Sequence, residues 1–370
     1  MLDRILDHTF RTNPKWGKRD RHFVADTVFE VTRWRRALAF VAQDDSIESL
    51  CAAQWNRAGL EIPEWWSWQG CRVPEMTARE ELLGSEPRAI LESMPDWLDA
   101  RCAKELGGAW DAELVALNRR APVFLRVNRL RLTPADAIRW LEENGVTAAP
   151  AEGAPDALVL AEGKMLPKPL AAEGLVEIQD AGSQAVVPLL EVEPGMKVID
   201  ACAGSGGKTL HLAALMQDRG EILAMDVSTA KLSELRRRAT RAVTRIIRTE
   251  TWRADSLKRY AGWADRILID APCSGLGTLR RQPDLKWRLN DVAIEKTRRL
   301  QRKMLDHYTE MLRPGGKLVY ATCSVLTSEN EAQIASFAER DGRWQVEESL
   351  RISPAATGWD GFYAARLAGV

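Results

Sequence analysis

Two cysteines stand where the chain could carry out thiol chemistry. Cys273 lies in the segment DAPCSG and Cys323 in the segment YATCS, and each follows an apolar run that predicts a buried strand ending on a loop. Because parallel strands collect their reactive groups at their carboxyl ends, we expect the two thiols to face one crevice. The competing interpretation is that each cysteine is a small buried hydrophobe, which is a common role for this residue.

Two thiols suit the methylation of a cytosine ring at C5. That carbon is a poor nucleophile, so a thiolate has to add to C6 before C5 can attack a methyl sulfonium, and a base then has to remove the C5 proton. The attacking thiol needs a polar site, because a free cysteine has a pKa of about 8.5. Asp270 and Lys208 are the polar side chains predicted to contact the pyrimidine. The spacing does not say which cysteine attacks.

The segment DACAGSGGKT at residues 200–209 is a glycine-rich loop between a predicted strand and a predicted helix. Its backbone can pass close to a ligand, with free N–H groups directed at it. A nucleoside triphosphatase would need glycine where Cys202 stands, and a dinucleotide enzyme would need a fuller glycine pattern. A triphosphatase stays an alternative, because the predicted strand at residues 266–270 could provide an acid that holds magnesium.

S-adenosylmethionine fits the order of the residues better than either alternative. It needs a tight turn for its amino-acid part, an acid for the ribose hydroxyls and an acceptor for the adenine amino group. Asp226 ends the second predicted strand and could take both hydroxyls, and Asp255 ends the third and could accept from the adenine. Each aspartate alone could also be a helix cap or a turn residue. The predicted cofactor-binding residues are Cys202, Ala203, Gly204, Ser205, Gly206, Gly207, Lys208, Asp226, Asp255 and Asp270.

The elements that must position these residues alternate between strand and helix from Gly174 onward. This alternation predicts an α/β fold with a doubly wound sheet. A Pro-Gly-Gly turn at residues 314–316 predicts a sharp helix stop. The predicted strands are 197–200, 222–226, 244–249, 266–270 and 317–321, with a further pair near 344–346 and 361–365; the predicted helices are 209–217, 229–241, 291–312 and 328–339.

Two smaller domains are predicted before this sheet. The apolar residues up to about residue 85 have helical spacing, which predicts a small helical domain. Strands at 122–128 and 157–160, with a helix at 134–144, predict a compact α/β module. Arg126, Arg129 and Arg131 alternate along or just beyond its first strand and would suit an RNA backbone, although solvent-facing arginines are common on sheets. The predicted domains are residues 1–85, 86–170 and 171–370.

The charges of the chain cancel, with 52 basic and 52 acidic residues, so net charge gives no support for nucleic-acid binding. Their distribution says more, because basic residues crowd the segments 280–303 and 236–248. A local basic face attracts phosphates within a Debye length, although it can equally be a solvated helix face.

Six cysteines without close pairing and four histidines without a ligand cluster predict a reducing compartment and no metal site. The charged amino end does not resemble a signal peptide, and no apolar run is long enough to span a bilayer. We therefore expect a cytoplasmic protein with no membrane partner. The sequence leaves the oligomeric state open, with a monomer favoured.

Together these motifs resemble the RNA cytosine-C5 methyltransferases of the Sun/Fmu type, and among them the enzymes of small-subunit rRNA. The resemblance runs through the whole carboxyl half, and shorter segments upstream are similar to the family's RNA-recognition, linker and NusB-like helical parts. The matching segments are residues 200–209, DAPCSG at 270–275, Arg281 with PDLKW at 283–287, TCS at 322–324, ENE at 329–331 and DGFY at 360–363; upstream they are RDRHF at 19–23, PDWL at 95–98, LRVN at 125–128 and QDAGSQ at 179–184.

The resemblance implies a Rossmann-like class I methyltransferase domain, preceded by a shortened NusB-like domain and a ferredoxin-like or RRM-like module. It also implies that Cys323 is the nucleophile at C6 and that Cys273 releases the product. DNA cytosine methylases differ, because their nucleophile lies in the proline-cysteine motif. The family usually has Ala-Pro where this chain has Gly204-Ser205, so a stiffening proline is missing from the cofactor loop.

The expected reaction is the formation of 5-methylcytosine in RNA, with 16S rRNA as the first candidate and S-adenosylmethionine as the methyl donor. The target base has to be looped out or flipped to reach the thiols. A tRNA methyltransferase of the same family and a non-catalytic ribosome-assembly factor are the alternatives. The residues predicted to hold the RNA phosphates are Arg280, Arg281, Lys286 and Arg288.

Overall fold

Helices occupy the first part of the chain, and strands begin only at Phe124, in the computed structural model, which describes residues 2–369. None of the helices within that range has both the length and the apolar character that crossing a bilayer would need. The helices are α1 (Leu2–Thr12), α2 (Lys18–Ala42), α3 (Ile47–Arg57), α4 (Val73–Leu82), α5 (Arg88–Leu91), α6 (Asp96–Leu106), α7 (Trp110–Asn118), α8 (Pro134–Glu143), α9 (Lys168–Ala172), α10 (Ala181–Ala185), α11 (Gly207–Leu215), α12 (Thr229–Ala242), α13 (Ser256–Arg259), α14 (Leu285–Arg288), α15 (Asp291–Tyr308), α16 (Glu331–Arg340) and α17 (Pro354–Thr357). The strands are β1 (Phe124–Val127), β2 (Ala148–Pro150), β3 (Ala157–Leu160), β4 (Val176–Ile178), β5 (Lys197–Asp200), β6 (Glu221–Asp226), β7 (Ile247–Thr251), β8 (Ala264–Asp270), β9 (Leu312–Thr322), β10 (Trp344–Ile352) and β11 (Phe362–Gly369).

The structure divides into two compact units. One consists of the residues up to Arg119 together with Leu279–Asn290, and the other consists of Arg120–Thr278 together with the residues from Asp291 onward. The helical unit therefore includes α5, α6 and α7, which lie beyond the boundary predicted at residue 85. The division into three domains stays a prediction.

Apolar faces of α2, α3 and α4 form the core of the helical unit, where Leu38, Leu50 and Met76 are buried. The segment Leu279–Asn290, which carries α14, belongs to the same unit. Its Trp287 donates a hydrogen bond from Nε1 to the carbonyl of Thr32 in α2 at 2.7 Å. An indole N–H that is partly buried needs such a partner, so this bond fixes α14 against α2.

A four-stranded antiparallel sheet in the order β2-β3-β1-β4 opens the second unit. Its helix α8 begins at a capping box, in which the hydroxyl of Thr133 accepts from the N–H of Asp136 at 3.2 Å. Leu141 of α8 packs on Leu125 of β1 in one apolar core. The predicted α/β module is confirmed, but its fourth strand, β4, lies beyond the predicted boundary at residue 170.

The large sheet has seven strands in the order β10-β11-β9-β8-β5-β6-β7. The five strands from β9 to β7 run parallel, β11 is antiparallel to β9, and β10 is antiparallel to β11. The central strands are covered on both faces, so they read as continuous apolar runs, as in Ile267, Leu268 and Ile269, each fully buried. The predicted doubly wound α/β sheet is confirmed.

One predicted element differs in its detail. The Pro-Gly-Gly turn at residues 314–316 lies inside β9 instead of before it, and the preceding helix α15 already ends at Tyr308. The register of β8 and β9 shifts between Ala264 and Arg266, and Gly315 has a φ of 75°. A glycine at positive φ forms a bulge without ending the strand, so the segment bends while it stays paired.

The order of the strands places the site. The chain builds outward from β5 to β6 and β7, and then crosses to the other side to form β8 and β9. At such a reversal, the carboxyl ends of neighbouring strands leave an open crevice. Asp200, Asp226 and Asp270 are the last residues of β5, β6 and β8, so the crevice has acidic side chains at its edge.

Candidate active site

A cavity of about 810 Å³ opens at these strand ends. Its walls come from the glycine-rich loop, from the loops that follow β6, β7 and β8, and from one side of α15. The predicted cofactor residues that line it are Cys202, Ala203, Gly204, Ser205, Gly207, Lys208, Asp226 and Asp270. The two predicted residues that do not line it are Gly206 and Asp255, considering only the described part of the chain.

Gly206 shapes the loop from behind the cavity wall. Its φ is 90°, and a Cβ at this position would lie 2.6 Å from Cγ of Leu235 in α12. Its N–H donates to the carbonyl of Ala203 at 2.8 Å, which closes the turn just before α11. Only glycine combines this dihedral angle with this close approach, so the loop depends on Gly206 even though that residue touches no ligand space.

Asp226 ties the loop to the end of β6. Its Oδ2 accepts from the N–H of Gly204 at 2.9 Å, and its Oδ1 accepts from the N–H of Ser228 at 2.8 Å. A carboxylate oxygen can accept more than one hydrogen bond. Asp226 can therefore hold the loop and still accept from hydroxyl groups of a ligand in the cavity.

Asp255 is not among the described residues that line the cavity. Its carboxylate pairs with Nη2 of Arg259 at 2.7 Å, and its side chain is 63 % exposed. Arg259 is one helical turn further along α13, so the pair forms locally. The contact between Asp255 and adenine therefore stays a prediction.

Apolar side chains that the sequence analysis missed complete the cavity. Val227 follows Asp226 directly and lines the wall while 76 % exposed, and Trp252 and Leu257 face the same space. The flat apolar surface beside a carboxylate suits a purine nucleoside, whose ring is apolar and whose ribose carries hydroxyls. In the sequence, the available signal was a valine directly after an acid at the end of a predicted strand. The other missed lining residues are Gln179, Ser183, Ala201, Lys231, Ala254, Pro272, Leu300, Lys303, Met304, His307 and Tyr308.

Asp200 is the most deeply buried of the acids that line the cavity, at 1 % exposure. Burial raises its pKa to about 7, against the lowering effect of a hydrogen bond from Thr209 and with a further raising effect from the charge of Asp270. The hydroxyl of Thr209 donates to Asp200 Oδ2 at 2.7 Å. This bond joins the end of β5 to the first turn of α11.

Lys208 and Asp270 form an ion pair, with Nζ and Oδ2 at 2.7 Å. Burial alone would lower the pKa of Lys208, but the charge of Asp270 and the hydrogen bond to it raise the pKa above its ordinary value. Cys323 and Asp200 act in the same direction. Lys208 is therefore a cation at neutral pH, and it lines the cavity.

The structure brings the two predicted thiols together. The sulfur atoms of Cys273 and Cys323 lie 3.3 Å apart, at the ends of the neighbouring strands β8 and β9. The hydrogen bond to Cys323 and then burial raise the pKa of Cys273 well above its ordinary value. Pro272, which precedes Cys273, lines the cavity, whereas neither thiol is among the lining residues that the structure describes.

A buried acid joins the two cysteine loops. Glu329, fully buried, accepts from the N–H of Ser274 at 2.8 Å through Oε1 and from the hydroxyl of Ser324 at 2.6 Å through Oε2. The hydroxyls of these two serines are also 3.0 Å apart. Each serine follows its cysteine directly, so Glu329 fixes the spacing of the thiols. The sequence analysis found Glu329 only through the ENE segment.

Two of the four predicted RNA-binding residues are buried. Arg280 is 5 % exposed and Lys286 is 1 % exposed, with Nζ of Lys286 donating to Oδ1 of Asn118 at 3.3 Å. Burial and then the charge of Arg33 lower the pKa of Lys286 to about 7. The structure therefore offers neither charge to an RNA phosphate, because both side chains are buried.

The other two predicted RNA-binding residues are more accessible. Arg281 is half-buried, and Arg288 is exposed while its Nε pairs with Asp284 at 2.8 Å. For these two, the phosphate contact stays a prediction. Arg126, which was also considered for RNA, is 2 % exposed and is therefore not on the surface of the small sheet.

Two protein-family models match the chain. The model of the 16S rRNA methyltransferases RsmB/F matches residues 187–368, which include the large sheet from β5 onward. The model of the ferredoxin-like domain of RsmF/B-like methyltransferases matches residues 94–166. The two matches lie in the order in which the structure places the small sheet and the large one.

Curated relatives agree with these matches. The chain is 35 % identical over 290 residues to ribosomal RNA small subunit methyltransferase B of Enterobacter sp. (strain 638), covering 74 % of this chain and 66 % of that protein. It is 33 % identical over 300 residues to the protein of the same name from Shewanella oneidensis, covering 77 % of this chain and 69 % of that protein. The chain thus spans about two thirds of the length of these relatives.

Solved structures share the fold. The crystal structure of PH0851 superposes with a TM-score of 0.80 at 24 % identity, covering 98 % of this chain and 93 % of that one. The structure of NSun6 from Pyrococcus horikoshii with SFG, an S-adenosylmethionine analogue, gives a TM-score of 0.68 at 22 % identity, covering 76 % of this chain and 99 % of that one. The chain belongs to the RsmB/F family of methyltransferases, whose cofactor is S-adenosylmethionine.

Proposed function

We propose that this protein methylates cytosine at C5 in RNA, with 16S rRNA as the first candidate, through a transient bond between a cysteine and cytosine C6. One observation carries the proposal. The sulfur atoms of Cys273 and Cys323 lie 3.3 Å apart at strand ends that adjoin a cavity suited to a nucleoside. A cysteine that only fills space would need no second thiol beside it. The proposed reaction needs two groups, one thiolate that adds to C6 and one base that removes the C5 proton before the product is released.

The chemistry of the two thiols follows from their surroundings. Cys323 is assigned as the nucleophile: its thiolate adds to C6, and the electron pair of the C5–C6 bond moves toward C5. When bound, S-adenosylmethionine would supply the methyl group that C5 takes up, and its sulfur would keep the electron pair of the broken bond and leave as the thioether of S-adenosylhomocysteine. The raised pKa of Cys273 keeps that thiol protonated in the resting enzyme, so its S–H can donate to the sulfur of Cys323.

Release of the product needs a base near C5. Once the sulfur of Cys323 is bonded to carbon, it carries no negative charge, so it no longer opposes the deprotonation of Cys273. Cys273 can then, directly or through water, take part in removing the C5 proton, after which the C6–S bond breaks and the thiolate of Cys323 returns. We assign to the Lys208–Asp270 ion pair, which lines the cavity, the contacts to the ring nitrogen and the exocyclic amine as charge develops.

RNA recognition is assigned to the accessible basic residues and to the ferredoxin-like module. Arg281 and Arg288 remain the proposed phosphate contacts from the predicted set, since Arg280 and Lys286 are buried. Phosphate contacts position the RNA, while the thiols act on a base that is out of its stack.

The decisive experiment compares two cysteine variants. Cys273→Ala should accumulate a protein–RNA adduct that survives denaturing electrophoresis when cofactor is present, because the adduct forms but is not released. Cys323→Ala should form no adduct and transfer no methyl group from labelled cofactor. Cys51→Ala, in α3 of the helical unit, is the matched control and should behave as the unchanged protein. The reverse pattern would exchange the two roles, and an adduct with neither variant would refute the mechanism.

The RNA target is tested separately. Bisulfite sequencing of total RNA, with and without the protein, should show a cytosine in 16S rRNA that is protected only when the protein is active. Protection of a tRNA cytosine instead would leave the chemistry in place and change the substrate.

A further inference from the structure

The small sheet contributes a buried acid to a cluster of charges beside the cofactor loop. Glu177 on β4 is 6 % exposed. Its two carboxylate oxygens accept from two arginines of α12, from Nη2 of Arg238 at 2.9 Å and from Nη2 of Arg241 at 2.6 Å. A buried carboxylate with two arginine partners is firmly held, because each of its oxygens accepts a charge-assisted hydrogen bond.

Arg238 makes a second contact that Arg241 does not. Its Nη1 donates to the carbonyl of Ser205 at 2.8 Å. Ser205 lies in the glycine-rich loop and lines the cavity. The planar guanidinium of Arg238 therefore bridges Glu177 of the small sheet and the backbone of the loop, with one nitrogen on each.

The loop needs such a restraint from outside. Gly204 and Gly206 flank Ser205 and have φ values of 54° and 90°. Glycines gain more conformational freedom in the absence of contacts than any other residue, and no proline stiffens this turn. The bond to the Ser205 carbonyl removes part of that freedom before a ligand binds, which favours binding.

A second side chain of the same sheet edge reaches the cavity itself. Gln179 follows β4 and lines the cavity, and its Oε1 accepts from Nε of the buried Arg126 on β1 at 2.7 Å. Its Nε2 lies 3.2 Å from the hydroxyl of Ser183. A Cβ at Gly207 would lie 3.8 Å from the amide of Gln179, so this side chain borders the first turn of α11.

We infer that the ferredoxin-like module is a structural part of the cofactor site, and that Arg238 is the positioning residue through which Glu177 restrains the glycine-rich loop. Glu177 orients Arg238, and Arg238 fixes the carbonyl of Ser205. Arg241 shares the carboxylate but not the loop. The inference needs only that the cavity binds S-adenosylmethionine, so it stands apart from the cytosine chemistry proposed above.

The experiment measures the affinity of S-adenosylhomocysteine for the full chain by isothermal titration calorimetry, without RNA. Arg238→Ala should weaken binding about tenfold, which corresponds to the loss of one charge-assisted hydrogen bond. Glu177→Gln should weaken it to a smaller extent, because Arg238 keeps its bond to Ser205 but loses its charged anchor. Arg238→Lys should recover part of the affinity through a single donor to the carbonyl.

Arg241→Ala is the matched control, because it removes an arginine from the same carboxylate and the same helix. Its affinity should stay within twofold of the unchanged protein, and thermal unfolding of all variants shows whether the fold is kept. Equal weakening by Arg241→Ala and Arg238→Ala would overturn the inference, since the effect would then come from Glu177 and not from the loop. Unchanged affinity in Arg238→Ala would overturn it as well.

In turnover assays, the same substitution should raise KM for the cofactor more than it lowers kcat. A loss confined to kcat would contradict a positioning role at the cofactor loop. Because binding of S-adenosylhomocysteine requires no methyl transfer, failure of the adduct experiment would leave this result intact.

Discussion

Glu329 accepts a hydrogen bond from the N–H of Ser274 at 2.8 Å, so an acid that follows the Cys323 loop in the chain holds the loop of Cys273. The same carboxylate also accepts from Ser324, which follows Cys323. The spacing of the thiols is thus set by a group that touches neither sulfur. Its negative charge also helps to keep the pKa of Cys273 high, after the hydrogen bond to Cys323, burial and the charge of Cys323.

Glu329→Gln should keep the shape of this junction and remove its charge. The pKa of Cys273 should fall, so alkylation of Cys273 by iodoacetamide should become faster at pH 8, as measured by mass spectrometry. Methyl transfer should drop about tenfold or more, because a neutral amide holds the two loops less firmly. Glu339→Gln, at an exposed residue of α16, is the control. Unchanged alkylation and unchanged turnover in Glu329→Gln would show that the carboxylate is only a packing element.

Lys208→Met should remove the cation beside Asp270 while keeping most of the side-chain volume. We expect kcat/KM to fall by roughly 10- to 1,000-fold, the range for loss of a group that stabilises developing charge. Because the pKa of Lys208 is raised, the unchanged enzyme should show no loss of this cation between pH 6 and 9. The control is Lys197→Met, an exposed lysine at the amino end of β5, which should leave turnover unchanged; activity retained by Lys208→Met would exclude the proposed role.

Asp200 gives the stability of the protein a pH dependence. Its folded pKa of about 7 lies above the value of about 3.9 in an unfolded chain, so the native state binds more protons between these limits. The free energy of unfolding therefore falls as pH rises from about 4 to 7, by at most about 1.4 kcal/mol per pH unit from this group. Asp200→Asn should flatten this fall, as measured by urea unfolding across that range. A slope that is unchanged in Asp200→Asn would mean that other groups carry it.

Gly206→Ala should disturb the cofactor loop through a steric clash with Leu235, because the new Cβ would lie 2.6 Å from Cγ. Gly195→Ala is a matched control, since Gly195 has a similar φ of 95° but no atom within 4 Å of the added Cβ. Each substitution should carry the conformational cost of about 1 kcal/mol for alanine at positive φ. Only Gly206→Ala should add a clash of roughly 1–3 kcal/mol and weaken S-adenosylhomocysteine binding. Equal losses of stability and of S-adenosylhomocysteine affinity in the two variants would show that the close approach to Leu235 has no effect.

The sequence predicts the large sheet well, because its central strands are buried on both faces and therefore appear as unbroken apolar runs. The meeting of Cys273 and Cys323 follows from the same pattern, since β8 and β9 are neighbours whose ends meet at one edge. The glycine-rich loop is also predictable, because a turn that opens a helix requires Gly206 at positive φ. These features depend on local rules that the sequence states directly.

Side-chain partners depend on folding and are less predictable. Asp255 pairs with Arg259, although the order of the strand-end acids pointed to a ligand. Lys286 is buried against Asn118, a residue 168 positions earlier in the chain, although a basic cluster usually indicates an exposed face. The end of the helical unit and the position of β4 are hard to predict for a related reason. Short elements such as α5 and β4 have too few residues for a periodic signal.

The return of Leu279–Asn290 to the helical unit has a consequence for dissecting the protein. A fragment that starts at Arg120 would still carry this stretch, but Trp287 would lose the carbonyl of Thr32 and Lys286 would lose Asn118. Conversely, the amino-terminal helices expressed alone would leave their own interior open where α14 belongs. A cut at residue 119 would therefore separate α14 from the helices that hold it, because the two stretches of the helical unit are far apart in the chain.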